Sequence, residues 1–264
     1  MSDIQFAHAN GFPAKTYEYM FSLITAADVH YINTMGHDER INKGDLAHLR
    51  DELIEVIESH HKDPVIGIGH SSGAAATLLA AAKRPDLFAQ VILLDPIIFG
   101  RKKRFGIRLL KLLGLWASKG PARKALRRRT NFDDKQQAFD YFKTKALFKD
   151  FHTKSYDSYI EHGLKQAKEG VELSFSAQVE ADIFKNTPTR IPKSFAKSFS
   201  KIKGTIIYGQ TSDVFNQDDI NWWKKYYPNF KMIAFPGAHL FPLEQPEETA
   251  KLINELSNTL STSS

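Results

Sequence analysis

Val65-Ile66-Gly67-Ile68-Gly69-His70-Ser71-Ser72-Gly73-Ala74-Ala75-Ala76 begins as a short apolar strand, passes through a serine flanked by glycines, and continues as an alanine-rich helical run. A strand that turns sharply into a helix forces the central residue of Gly-x-Ser-x-Gly into a strained backbone conformation. Glycines two positions to either side remove the side chains that would collide with neighbouring backbone. Ser71 is thereby lifted out at the carboxyl end of its strand, which makes it the candidate nucleophile.

A serine hydroxyl needs a base, so a histidine is expected on another loop at the same end of the sheet. His239 satisfies this, in Phe235-Pro236-Gly237-Ala238-His239-Leu240 after the last apolar run. The base needs a carboxylate, and Asp213 in Gly209-Gln210-Thr211-Ser212-Asp213 follows the preceding run. The expected triad is therefore Ser71, Asp213 and His239. Asp95, at the end of Leu93-Leu94-Asp95-Pro96, stands as a rival acid or an auxiliary partner of the histidine, with Asp218 and Asp219 as further rivals. A tetrahedral intermediate also needs N–H donors. Ser72, opening the helix, offers one, and the loop His8-Ala9-Asn10-Gly11-Phe12-Pro13 offers Phe12 as the second, with Asn10 as an auxiliary residue beside it.

Around this string, apolar runs alternate with helical patterns, the signature of βα units and a parallel sheet buried on both faces. Strands are expected at Ile4–His8, Val29–Thr34, Val65–Gly69, Val91–Leu94, Thr205–Tyr208 and Lys231–Phe235. Helices are expected at Asp45–His61 with Asp45 as its cap, Ser72–Lys83, Asp218–Tyr226 and Pro246–Leu260, ahead of a frayed Ser/Thr tail. About a hundred residues, Pro96 to Ser200, break the alternation, a length that predicts a helical insertion. The expected organisation is a core of residues 1–96 and 201–264 with a helical cap at 97–200.

With 264 residues, 42% of them hydrophobic, and 25% charged, the composition is that of a globular protein, and the absence of cysteine excludes disulfides and thiol nucleophiles. No secretory segment is legible at the start, so a cytoplasmic protein is expected. The formal charge of +6 is uneven, because Arg101 to Arg129 holds twelve Lys or Arg residues and no acid, leaving the rest at about −6. Ile107, Leu109, Leu110, Leu112, Leu113 and Leu115 are interleaved with these cations. Such a stretch could cover an acyl pocket, rest on an anionic lipid surface, or simply close the domain with its basic face solvated. It lacks a motif for reading nucleic acid, so no nucleic-acid partner is expected.

HANGFPA, GHSSG, LLDP, GQTSD and GAH, in that order, resemble the α/β-hydrolase superfamily along essentially the whole chain. The resemblance implies a mostly parallel sheet flanked by helices, a cap over the site, and Phe12 and Ser72 as backbone donors of an oxyanion hole. It also implies a structural role for His37. Asn10 stands where many relatives carry histidine, and by the same resemblance the usual first hairpin is expected to be absent. The implied chemistry is hydrolysis of a carboxylic ester on a small acyl substrate through an acyl-enzyme, with no metal or organic cofactor. Thioester, amide or carbon–carbon hydrolysis, and a noncatalytic small-molecule receptor, are the alternatives this fold leaves open.

Overall fold

The computed structural model describes residues 2–37 and 46–258. Nine strands are present among them: β1 (Ile4–Ala7), β2 (Val29–Tyr31), β3 (Val65–His70), β4 (Phe88–Leu94), β5 (Asn131–Phe132), β6 (Leu164–Gln166), β7 (Val171–Leu173), β8 (Gly204–Gly209) and β9 (Phe230–Phe235). Six form one sheet in the order β2-β1-β3-β4-β8-β9, and every ladder in it is parallel. All six expected strands are therefore found. β4 begins three residues earlier than expected, because the buried Gln90 interrupts the apolar pattern while its amide donates to the Leu256 carbonyl at 3.1 Å.

Strand periodicity divides the core. Ile66, Ile68, Ile92, Leu94 and Ile207 point to one face, against the terminal helix Pro246–Asn258; Val91, Leu93 and Ile206 point to the other, against the helices Ala47–His60, Ser72–Lys83 and Gln217–Tyr226. The cap expected at Asp45, like the Ser/Thr tail from residue 259, lies outside the described residues.

Ser72–Lys83 packs closest of all, and the sequence explains how. A Cβ on Gly69 would stand 2.5 Å from the Gly73 carbonyl carbon, and one on Gly73 would stand 2.1 Å from the Ala7 carbonyl oxygen. Only glycine admits these approaches, so the helix starts tight against β3 and β1.

The insertion between β4 and β8 was expected to be helical. It contains the helices Arg101–Leu112, Leu115–Lys119, Pro121–Arg127, Lys135–Lys143, Thr153–His162, Ala177–Lys185 and Lys193–Phe199, but also a three-stranded antiparallel sheet, β5-β7-β6. Strands of two or three residues carry too few alternations to register as a period of two.

Candidate active site

Parallel strands all present their carboxyl ends at the same edge, so the loops after β1, β3, β4, β8 and β9 converge there. Ser71 follows β3 with φ +56° and ψ −112°, a strained conformation for a residue with a Cβ. Its own N–H donates to the Leu94 carbonyl at 2.9 Å, tying the turn to the end of β4. The residue just past the end of β4 is Asp95, itself at φ +42° and fully buried.

The structure brings Ser71 and His239 together: Nε2 of His239 lies 3.0 Å from the Ser71 hydroxyl, while Nδ1 lies 2.6 Å from Asp95 Oδ2. The carboxylate thereby fixes the tautomer, since Nδ1–H donates to Asp95 and leaves Nε2 to accept the serine proton. Asp95 is held in turn by the Gly209 N–H at 2.9 Å on Oδ1 and the Ser212 hydroxyl at 2.6 Å on Oδ2. Ser212 also accepts from the N–H groups of Val214 and Phe215, both at 3.1 Å, so its proton is directed at the carboxylate.

Asp213 is thus corrected as the acid. It is solvent-exposed, one residue past Ser212, and the Nδ1 it was expected to hold is occupied by Asp95. The β8 loop does serve the site, but with a hydroxyl rather than a carboxylate. The other rivals lie elsewhere: Asp218 is exposed beside Lys102, and Asp219 closes a capping box on Gln217–Tyr226 and accepts from the Gly100 N–H at 2.7 Å.

His70, preceding Ser71, is fully buried and joins two loops of the site. Its Nε2 donates to the His239 carbonyl at 2.8 Å, and its Nδ1 accepts from the Tyr17 hydroxyl at 2.8 Å. Tyr17 accepts in turn from the Ala9 N–H at 3.4 Å. Burial pushes the His70 pKa down to about 3, so the ring is neutral. Tyr17, His70 and Ser212 had no signal of their own in the sequence beyond His70 and Ser212 lying inside quoted motifs.

In the first loop, Gly11 at φ +81° permits a tight turn, as expected. The Phe12 N–H, however, closes that turn onto the Ala9 carbonyl at 3.2 Å, so the expected oxyanion donor is engaged within its own loop. The Ser72 N–H opens its helix, where geometry leaves the first amides without intrahelical acceptors. The Asn10 amide donates to the Glu180 carbonyl at 2.9 Å, binding the loop to the insertion. His37 accepts from the Ser176 N–H at 3.0 Å and lies 4.5 Å from the Phe175 ring, so it anchors the start of Ala177–Lys185.

Beside the first loop lies a cavity of about 300 Å³, walled by Phe12, Phe142, Phe148, Tyr159 and Phe184. Arg128 and Glu180 face each other across part of its lining at 2.8 Å.

A sequence model described as the alpha/beta hydrolase family matches residues 6–252. Human monoglyceride lipase is 26% identical over 122 residues, 41% of this chain and 40% of that enzyme. The rat monoglyceride lipase is 32% identical over 80 residues, 29% of this chain and 26% of that one. The matched stretch is thus less than half of either curated relative. Among solved structures, E-2-(acetamidomethylene)succinate hydrolase superposes with a TM-score of 0.75 at 17% identity, covering 96% of this chain and 90% of its own. The peroxisomal alpha-beta-hydrolase Lpx1 of Saccharomyces cerevisiae gives 0.75 at 18%, covering 99% and 77%, and an M. tuberculosis esterase 0.71 at 16%, covering 97% and 84%.

Proposed function

The chain belongs to the alpha/beta hydrolase family, and we propose that within it this protein is a serine hydrolase that cleaves carboxylic esters through an acyl-enzyme. The observation that carries this reading is the unbroken line from hydroxyl to imidazole to buried carboxylate, Ser71–His239–Asp95, at 3.0 and 2.6 Å. His239 removes the Ser71 proton as the hydroxyl attacks the acyl carbon. Asp95 stabilises the imidazolium, which then protonates the leaving alkoxide. Water, deprotonated by the same imidazole, releases the acid and restores Ser71.

The negative charge on the former carbonyl oxygen is met by the Ser72 N–H. The Phe12 N–H joins it when its 3.2 Å turn bond yields to the stronger, charged acceptor. The insertion acts as a cap, and the aromatic cavity against Phe12 receives the acyl chain. An ester is favoured because alkoxide leaving groups demand less protonation than amines, and the monoglyceride lipases similar to this chain act in that class by name.

A fluorophosphonate probe combined with a panel of acyl esters of graded chain length tests the reading. Labelling and ester turnover by the wild type, both lost in Ser71→Ala, are expected. A wild type that neither labels nor turns over any ester would overturn it in favour of a noncatalytic receptor.

A further inference from the structure

The helix Arg101–Leu112 turns only a narrow face inward. Ile107 is its one buried hydrophobic residue, and three cations on that inward side engage the protein: Lys103 with the Val214 carbonyl and Asp219, Arg104 over the Trp222 ring at 4.9 Å, and Lys111 with the Thr187 carbonyl at 2.8 Å. At 100° per residue, Phe105, Leu109 and Leu112 fall within a 60° sector on the opposite side, with Leu113 beside them where the helix ends. Those four are 69, 47, 76 and 61% exposed. They make up half of the eight large hydrophobic side chains exposed among the described residues.

Arg101 and Arg108 flank this stripe on one side and Lys102 on the other. Arg101 lies against the exposed Tyr226 ring at 4.6 Å, and Lys102 makes a solvent-exposed ion pair with Asp218 at 3.3 Å, both partners belonging to the adjoining helix Gln217–Tyr226. An apolar stripe bordered on both sides by cations suits a plane in which hydrocarbon lies beneath a layer of phosphate. The leucines and phenylalanine leave water while the long basic side chains reach the headgroups.

We propose that the outward face of Arg101–Leu112, continued by Leu113, docks this protein on an anionic phospholipid surface. Charge complementarity selects the occupant: the segment from Arg101 to Arg129 contains twelve cations and no acid, within a chain that is otherwise net negative. Beyond the short helix Leu115–Lys119, the helix Pro121–Arg127 of the same cationic segment supplies Pro121, Lys124 and Ala125 to the lining of the aromatic cavity. The inference does not depend on Ser71 being a nucleophile.

The test is co-sedimentation of the full chain with phosphatidylcholine vesicles, alone and mixed with phosphatidylglycerol, with sedimentation velocity run in parallel. Binding is expected to the anionic vesicles, falling as salt rises, and unchanged in Ser71→Ala. Phe105→Glu/Leu112→Glu is expected to weaken it at least about tenfold, with the melting temperature retained because both positions are exposed. Equal binding of the wild type to both vesicle types, or to neither, would overturn the proposal. So would full binding by the double variant, or a wild-type dimer that the variant converts to a monomer without any lipid binding in either.

Discussion

Asp95 combines three features that ordinarily oppose one another: positive φ, complete burial and a carboxylate. Two hydrogen-bond donors and an imidazole converge on it, which offsets the cost of burying the charge. Replacing it with Asn keeps the shape but offers His239 an amide that can favour the wrong tautomer. Asp95→Asn is therefore expected to lower kcat/KM on the ester of best turnover by about 10³–10⁴-fold, while Asp213→Asn changes it by less than about twofold. Comparable losses from both substitutions would show that the β8 loop moves its carboxylate into the site in solution. Ser212→Ala removes one charge-assisted bond to Asp95, and a loss of about tenfold in kcat is expected with little change in KM.

The same residues show what the sequence discloses and what it withholds. Ser71 and His239 are legible because each is fixed by its own local setting, a strand-turn-helix string and the loop after the last strand. The acid is not local in this way. Both β4 and β8 end beside the histidine, both loops carry an aspartate, and only the three-dimensional order β3-β4-β8-β9 decides between them. Asp95 was legible as a rival and no more. Tyr17 lies 53 residues from its partner His70, and nothing in the chain marks that contact.

At the scale of elements, the parallel sheet was legible because buried strands are continuous apolar runs, whereas β5 to β7 are too short to leave a pattern. The contact that most constrains the site is between elements: the start of Ser72–Lys83 against the end of β1. A methyl group on Gly73 would meet the Ala7 and His8 carbonyl oxygens at 2.1 and 2.6 Å, and neither is a flexible side chain that can step aside. Either the helix or the first loop must shift, moving Ser71 relative to the N–H groups that face its substrate. Gly73→Ala is expected to cost at least about 3 kcal/mol in chemical denaturation and to abolish fluorophosphonate labelling. A variant of wild-type stability and reactivity would mean that these two elements are less tightly docked.

Over the whole molecule, two buried imidazoles tie stability to pH. His8 and His70 are held neutral, burial pushing their pKa values down to about 4 and about 3. Their hydrogen bonds require the neutral ring. His8 Nδ1 donates to the Ala9 carbonyl and Nε2 accepts from the Met35 N–H, both at 2.8 Å, so an imidazolium would set one donor against another. Because the unfolded chain takes up these protons near pH 6.5 and the folded one does so only far lower, stability is intact above about 6.5 and falls with acidification. From pH 8 to pH 5 each ring contributes a loss of about 2 kcal/mol, about 4 kcal/mol for the pair. The partly buried carboxyls of Glu180 and Glu244, whose pKa values burial raises, act in the opposite sense, gaining stability as they protonate. They titrate in both wild type and variant, so a comparison isolates the imidazole. His70→Gln, which cannot take up a proton, is expected to start less stable at pH 8 yet lose about 2 kcal/mol less between pH 8 and pH 5 in urea unfolding. Parallel wild-type and variant curves would mean that His70 takes up its proton in the folded protein at the same pH as in the unfolded chain, and that the Tyr17–His70–His239 connection is not as drawn.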